Sequence, residues 1–164
     1  MDLWRLCRRP FADLSGEGAR IHGGRWNSPG RAVVYLAEHP ALAMLEVRVH
    51  LDLPFEMLPE DFVLLRAALP DRWIARDAGQ FDDTVAAGDS WLAERRSAGL
   101  RVPSVLAPHA WNILLNPAHA EASRARVTAI EPFRFDARLF PLLTRETRSR
   151  LEPLQTRTAQ TDDQ

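Results

Sequence analysis

The chain has 164 residues, 46% of them hydrophobic, and a formal net charge of −1. That is the size of one domain with a conventional buried core, and the near-zero charge provides no global field toward nucleic acid or a membrane. All 21 basic residues are arginine, which excludes a lysine base, a Schiff-base nucleophile and a P-loop cation.

Cys7 is the single cysteine, so no internal disulfide and no cysteine metal cluster is expected. The start, MDLWRLCRRPF, lacks the apolar run of a signal peptide, and no apolar stretch approaches the ~20 residues of a membrane span. These features lead us to expect a cytoplasmic protein with no membrane segment.

Leu3 to Cys7 reads as a first strand, with Trp4 and Leu6 on one face and Leu3, Arg5 and Cys7 on the other. Residues 13–24, DLSGEGARIHGG, are glycine-rich with little apolar periodicity and predict a loop. Arg25 and Trp26 start a short extended piece, and Asn27-Ser28-Pro29-Gly30 is a turn. Ala32 to Leu36 is an apolar, β-branched run, hence a buried strand. His39-Pro40 then opens a helix of good formers, ALAMLE, and the alternation of Val47, Val49 and Leu51 predicts a return to strand. Phe62 to Leu69 is another buried strand.

Residues 82–98 predict a second helix, capped by Asp82 or Asp83, with Glu94 and Arg95 paired near its end. Val102 to Leu106 is extended, and the proline-bounded PHAWNILLNP predicts a compact turn or short strand. Arg126 to Phe135 alternates as a half-buried strand does, and Leu139 to Leu143 packs as a short cap. From Thr144 the chain turns polar, which predicts a frayed helix or disordered tail. The predicted fold is α+β, a compact mixed sheet with a few helices; the predicted division is a domain over 1–143 and a tail over 144–164.

Several residues are candidates for chemistry. Gly23-Gly24-Arg25 places backbone N–H groups beside a guanidinium, which suits a phosphate or pyrophosphate; a plain surface turn with a solvated arginine fits the same residues. Tyr35, the sole tyrosine, either stacks on a planar ring or is a core residue with its hydroxyl at the edge. Glu46 shares a helix face with His39, Leu42 and Ala43, so it opens into a cleft or sits in a structural salt bridge with Arg25 or Arg48. Ser104 satisfies a local backbone group or serves a site. Gly16-Glu17-Gly18 lacks the third glycine and the following helix of a dinucleotide fingerprint. Ser104 has no nucleophile elbow around it, and the five histidines have no metal-ligand spacing.

Taken together, GGRWNSPG, VYLAEHPALAMLE, VPSVLAP and WNILLNP resemble the RES domain family. The likeness runs from about Leu3 to Phe140. It implies a fold like that of ADP-ribosyltransferases and a toxin of a toxin–antitoxin pair that degrades NAD⁺, with NAD⁺ as substrate and no cofactor or metal. The family arginine falls on Arg25, the tyrosine on Tyr35, the glutamate on Glu46 and the serine on Ser104; Asn112 matches more loosely. Glu46 and Arg25 are thereby the expected catalytic residues, with Arg25, Tyr35 and Ser104 on the substrate. The implied partner is an Xre-like helix-turn-helix antitoxin, which binds the DNA while the toxin makes no direct nucleic-acid contact; a homodimer stays open. Glycohydrolysis and phosphorolysis both fit the likeness. So do two alternatives, protein ADP-ribosylation and a non-catalytic co-repressor subunit.

Overall fold

Seven strands form one sheet in the order β4-β5-β6-β2-β1-β3-β7. They are β1 (Asp2–Arg8), β2 (Val34–Ala37), β3 (Phe62–Ala68), β4 (Ile74–Arg76), β5 (Gly99–Pro103), β6 (Trp111–Leu115) and β7 (Arg126–Pro132). Only β4 and β5 pair in parallel; every other neighbour is antiparallel. Among the described residues three α-helices accompany them: α1 (Glu17–His22), α2 (Pro40–Arg48) and α3 (Thr84–Glu94). The computed structural model describes residues 1–76 and 81–140. The expectations for 141–143 and for the tail from Thr144 lie outside them.

The chain divides into two units, the larger comprising Met1–Leu51 and Pro59–Arg134 and containing the whole sheet. In the smaller unit, Phe140 packs against Phe55 and Phe135, each with ring centroids 5.7 Å apart. One-turn 3-10 helices span Phe55–Met57 and Ala137–Leu139 there, the second capped by Asp136, whose carboxylate accepts from the Arg138 N–H.

The period-two alternation of the strands builds two apolar clusters on opposite faces of the sheet. On β6, Ile113 and Leu115 join Leu3, Val34, Leu36 and Leu65, whereas Leu114 joins Trp26, Val33, Trp91 and Val102. The second face carries the site. Register places Tyr35 opposite Leu114, Ala37 opposite Asn112 and Trp4, and Val102 opposite Asn112. Trp91 and Leu92 bring α3 onto that face. The α2 helix packs against β1 and β2.

The strand and helix order is an α+β fold, as expected. Six local readings change. Arg25 and Trp26 form a turn rather than an extended piece, and the strand expected half-buried over 126–135 ends at Pro132 and is exposed at every position but Ala129. Residues 17–22 form α1 rather than loop: Gly16 at φ 73° precedes it and Gly23 at φ 72° closes it. A β-carbon at Gly16 would also lie 2.7 Å from the Val33 backbone nitrogen, so both spacing and dihedral call for glycine. Val47 and Arg48 complete α2, with Val49 as its cap, so the alternation of Val47, Val49 and Leu51 is not a strand. The second helix ends at Glu94 because Arg95 turns left-handed at φ 52°, and Glu94 pairs with Arg96, not Arg95. The strand expected at Val102–Leu106 lies earlier, at Gly99–Pro103, because Ser104 starts a turn.

Among the described residues no helix is long and apolar enough to cross a membrane.

Candidate functional site

One cleft of about 840 Å³ opens in the larger unit, within the range of small-molecule sites. Arg25, Tyr35, Glu46 and Asn112 all line it, with apolar walls that include Trp4, Leu6 and Val102. Glu46 is the only carboxylate among its described lining residues.

Glu46 reaches the cleft because α2 begins where it does. Pro40 takes the first helical position and the His39 ring nitrogen accepts from the Ala41 N–H at 3.2 Å, which fixes the start. Leu42 and Ala43 are buried on one face, and Glu46 follows on the same side in the last turn. The negative end of the helix dipole opposes a carboxylate there. Two donors offset that cost: Ser104 Oγ donates to Glu46 Oε1 at 2.9 Å, and Asn112 Nδ2 donates to the same oxygen at 2.6 Å. No described residue donates to Oε2, and the salt bridge to Arg25 or Arg48 that the sequence left open is not formed. Glu46 is thus held by two neutral groups at one oxygen.

Ser104 contacts both a cleft carboxylate and local backbone groups. It follows β5, sits between the lining residues Pro103 and Val105, and reaches the cleft through Glu46. Its Oγ also accepts from the N–H groups of Leu106 and Ala107, at 3.1 and 3.3 Å. Asn112 lies on β6 beside β2 and β5, and its role emerges only from the fold. An asparagine in an apolar strand is the signal that marks it in the sequence.

Arg25 stands at the first tip position of a two-residue hairpin. Gly24 N–H donates to Asn27 O at 2.9 Å, and Asn27 N–H returns to Gly24 O at 3.4 Å. The Arg25 carbonyl accepts from Thr84 Oγ1 at 2.7 Å. Its side chain is exposed and has no hydrogen bond or ion pair among the described residues. Asn27, which its place in a turn motif does not distinguish, is 1% exposed and forms a buried hub. Its Nδ2 donates to the carbonyls of Ala19, Arg31 and Ser28, at 2.9, 2.9 and 3.2 Å. Arg5 borders the same cleft, but strand alternation turns its side chain to the Leu3 face, where the guanidinium donates to the carbonyls of Phe11 and Asp13.

The Tyr35 hydroxyl donates to Asn27 Oδ1 at 2.8 Å and accepts from the Trp26 N–H at 2.9 Å. Burial pushes its phenol up to about 12, with the nearby Asp89 charge adding to the rise and the Trp26 N–H opposing it. A folded value raised above the unfolded one near ~10 gives stability that is complete below about pH 10 and lost as pH rises toward 12. Since Tyr35 is the sole tyrosine, ultraviolet difference titration of the native protein should show a single tyrosinate midpoint near 12. A midpoint near ~10, the free-phenol value, would contradict burial of the Tyr35 phenol.

The family model described as RES domain matches residues 2–136, and the chain belongs to that family. It is 40% identical over 152 residues to a protein named Toxin Res of Pseudomonas putida KT2440, covering 85% of this chain and all of that one. It is 38% identical over 141 residues to the Prs ADP-ribosylating toxin of Sphingobium sp. YBL2, covering 77% of this chain and 86% of that one. A chain in the crystal structure of the M. tuberculosis MbcT–MbcA toxin–antitoxin complex shares the fold, with a TM-score of 0.65 and 20% identity over 84% of this chain and 85% of that one.

Proposed function

We propose that this protein is the toxin of a toxin–antitoxin pair and that it cleaves the nicotinamide–ribose bond of NAD⁺. The observation that carries the proposal is the carboxylate of Glu46, fixed at one oxygen by Ser104 and Asn112 and lining the same cleft as Arg25. Breaking the N-glycosidic bond sends its electron pair to the departing nicotinamide and develops positive charge on the ribose. A carboxylate held in place stabilises that charge without having to reorganise during the reaction. Ser104 and Asn112 both donate to Oε1, which leaves Oε2 for the sugar.

Arg25 carries a permanent charge and a planar fork suited to phosphate oxygens. The apolar walls and the Tyr35 ring suit the flat base. Glycohydrolysis adds water to give ADP-ribose and a proton. Phosphorolysis adds inorganic phosphate to give ADP-ribose 1″-phosphate. The name of the Sphingobium relative supports a second reading, in which a protein side chain is the acceptor.

The names of the relatives support the toxin reading, and the MbcT–MbcA complex supports an antitoxin partner. That the partner is an Xre-like helix-turn-helix protein rests on the family resemblance. We also retain 1–143 as the proposed domain and 144–164 as its tail.

Incubation with labelled NAD⁺ in buffer, with phosphate and with a cell lysate separates the acceptors. ADP-ribose alone selects water, ADP-ribose 1″-phosphate selects phosphate, and label retained on protein selects ADP-ribosylation. No consumption of NAD⁺ under any of the three conditions would sink the proposal.

Asn112 should act through Glu46. Asn112→Ala removes one donor and should lower kcat about tenfold, the effect of one charge-assisted hydrogen bond, with KM little changed. Asn112→Asp should fall further, because it sets a second carboxylate against Glu46. Steady-state nicotinamide release reads both; equal activity of Asn112→Asp and the parent protein would remove Asn112 from this role.

A further inference from the structure

The Tyr35 hydroxyl has one proton to donate, and Asn27 Oδ1 takes it. The hydroxyl in turn accepts from the Trp26 N–H, the residue beside Arg25 at the tip of the hairpin. Asn27 ties the base of the hairpin to three carbonyls, from α1 and from the loop that follows. Gly24 is fitted against this junction: a β-carbon there would lie 2.6 Å from the Tyr35 hydroxyl and 3.0 Å from Asn27 Oδ1. Every polar group of Tyr35 and Asn27 that could meet a ligand as a donor is spent on the turn.

From this geometry we infer that Tyr35 and Asn27 are positioning residues, a latch that fixes the Arg25 hairpin so that the guanidinium meets the anionic part of the ligand. The inference deepens the reading of Arg25 as the phosphate grip and rests on it. The Tyr35 ring still forms part of the wall, but its hydroxyl works through Arg25. A ring that only stacks needs no hydroxyl, so the two roles separate on Tyr35→Phe.

Inorganic pyrophosphate, titrated by calorimetry, is the probe for the grip, and NAD⁺ turnover is the second readout. Tyr35→Phe should weaken pyrophosphate binding and raise KM for NAD⁺ about tenfold, with kcat within about twofold of the parent, as loss of a hydrogen-bond pair implies. Gly24→Ala removes no hydrogen-bonding group and should reproduce the effect by displacing the hydroxyl, which guards against a folding defect peculiar to Tyr35→Phe. Combined with Arg25→Ala, neither change should weaken binding further by more than about twofold, since a latch has nothing left to position. General loss of structure would instead lower binding in both backgrounds.

Parent-like binding by Tyr35→Phe, or losses that add fully to that of Arg25→Ala, would overturn the latch. A parent protein that binds neither pyrophosphate nor NAD⁺ would overturn it too, by removing the grip. Pyrophosphate binding that follows the latch pattern without nicotinamide release would support the latch and count against cleavage.

Discussion

Glu46→Ala should lower kcat for nicotinamide release by about 10²-fold or more, the scale seen when a preorganised transition-state partner is removed. The reason lies in how the carboxylate is held. Both of its donors approach Oε1, from Ser104 at 2.9 Å and Asn112 at 2.6 Å, and neither is a cation that would cancel its charge. Glu46→Gln separates charge from shape, since the amide oxygen can still accept from Ser104 and Asn112. It should lose nearly as much kcat as the alanine variant while binding NAD⁺ with little change. The fold should survive both changes, because Glu46 is only half-buried and its former donors face a cleft that water can enter. Thermal melting beside kinetics checks this, and a folded Glu46→Gln that turns over at the parent rate would refute the assigned role.

Gly88→Ala should be the most damaging small substitution in the larger unit. A β-carbon at Gly88 would sit 1.9 Å from the Trp26 carbonyl oxygen and 2.8 Å from its carbon. These are backbone atoms and have no rotamer to change. The α3 helix meets the Arg25 hairpin at this point: Thr84 donates to the Arg25 carbonyl, Asp89 accepts from the Ser28 N–H at 3.0 Å, and Phe81 stands edge-on to Trp26 at 5.4 Å. Overpacking of this kind costs about 1–3 kcal/mol and occasionally more, a fall of several degrees in Tm for a domain of this size. The hairpin must shift with the helix, so KM for NAD⁺ should rise as well. Gly18→Ala is the control. Its β-carbon would meet nothing within 4 Å and its position is helical, so it should be neutral or stabilise by about 0.5–1 kcal/mol. A Gly88→Ala protein that melts and binds like the parent would show that the close approach is not tight.

The strands of the sheet centre were legible because their burial is simple. The β2 and β3 segments are short apolar runs largely buried in the sheet, and their composition marks them directly, whereas β1 is marked by Leu3 and Leu6 facing opposite sides of a mixed segment. The α2 start was legible from His39-Pro40, since the cap and the proline act locally. What failed was local pattern without its tertiary context. Val47, Val49 and Leu51 alternate, yet packing of α2 against β1 and β2 keeps Val47 helical. The α1 helix has six residues and weak periodicity, so glycines at both ends concealed it. The short β4 strand carries too few residues to stand out.

Within the site, the residue types were readable and their connections were not. Arg25, Tyr35 and Glu46 do line one cleft. The pairing of Ser104 and Asn112 on one Glu46 oxygen joins α2, the end of β5 and β6, and no spacing in the chain encodes that. Asn27 was hidden because a buried asparagine in a turn motif looks like an exposed one until its four partners are placed around it.

The most direct measurement is release of free nicotinamide from NAD⁺ by the purified chain, followed by chromatography beside folded Glu46→Gln at equal concentration. The proposed function predicts release that scales with parent enzyme and is nearly absent from the variant. Equal release from both would place the chemistry away from Glu46. No release by folded parent protein, supplied with water, phosphate and lysate as acceptors, would contradict NAD⁺ cleavage itself.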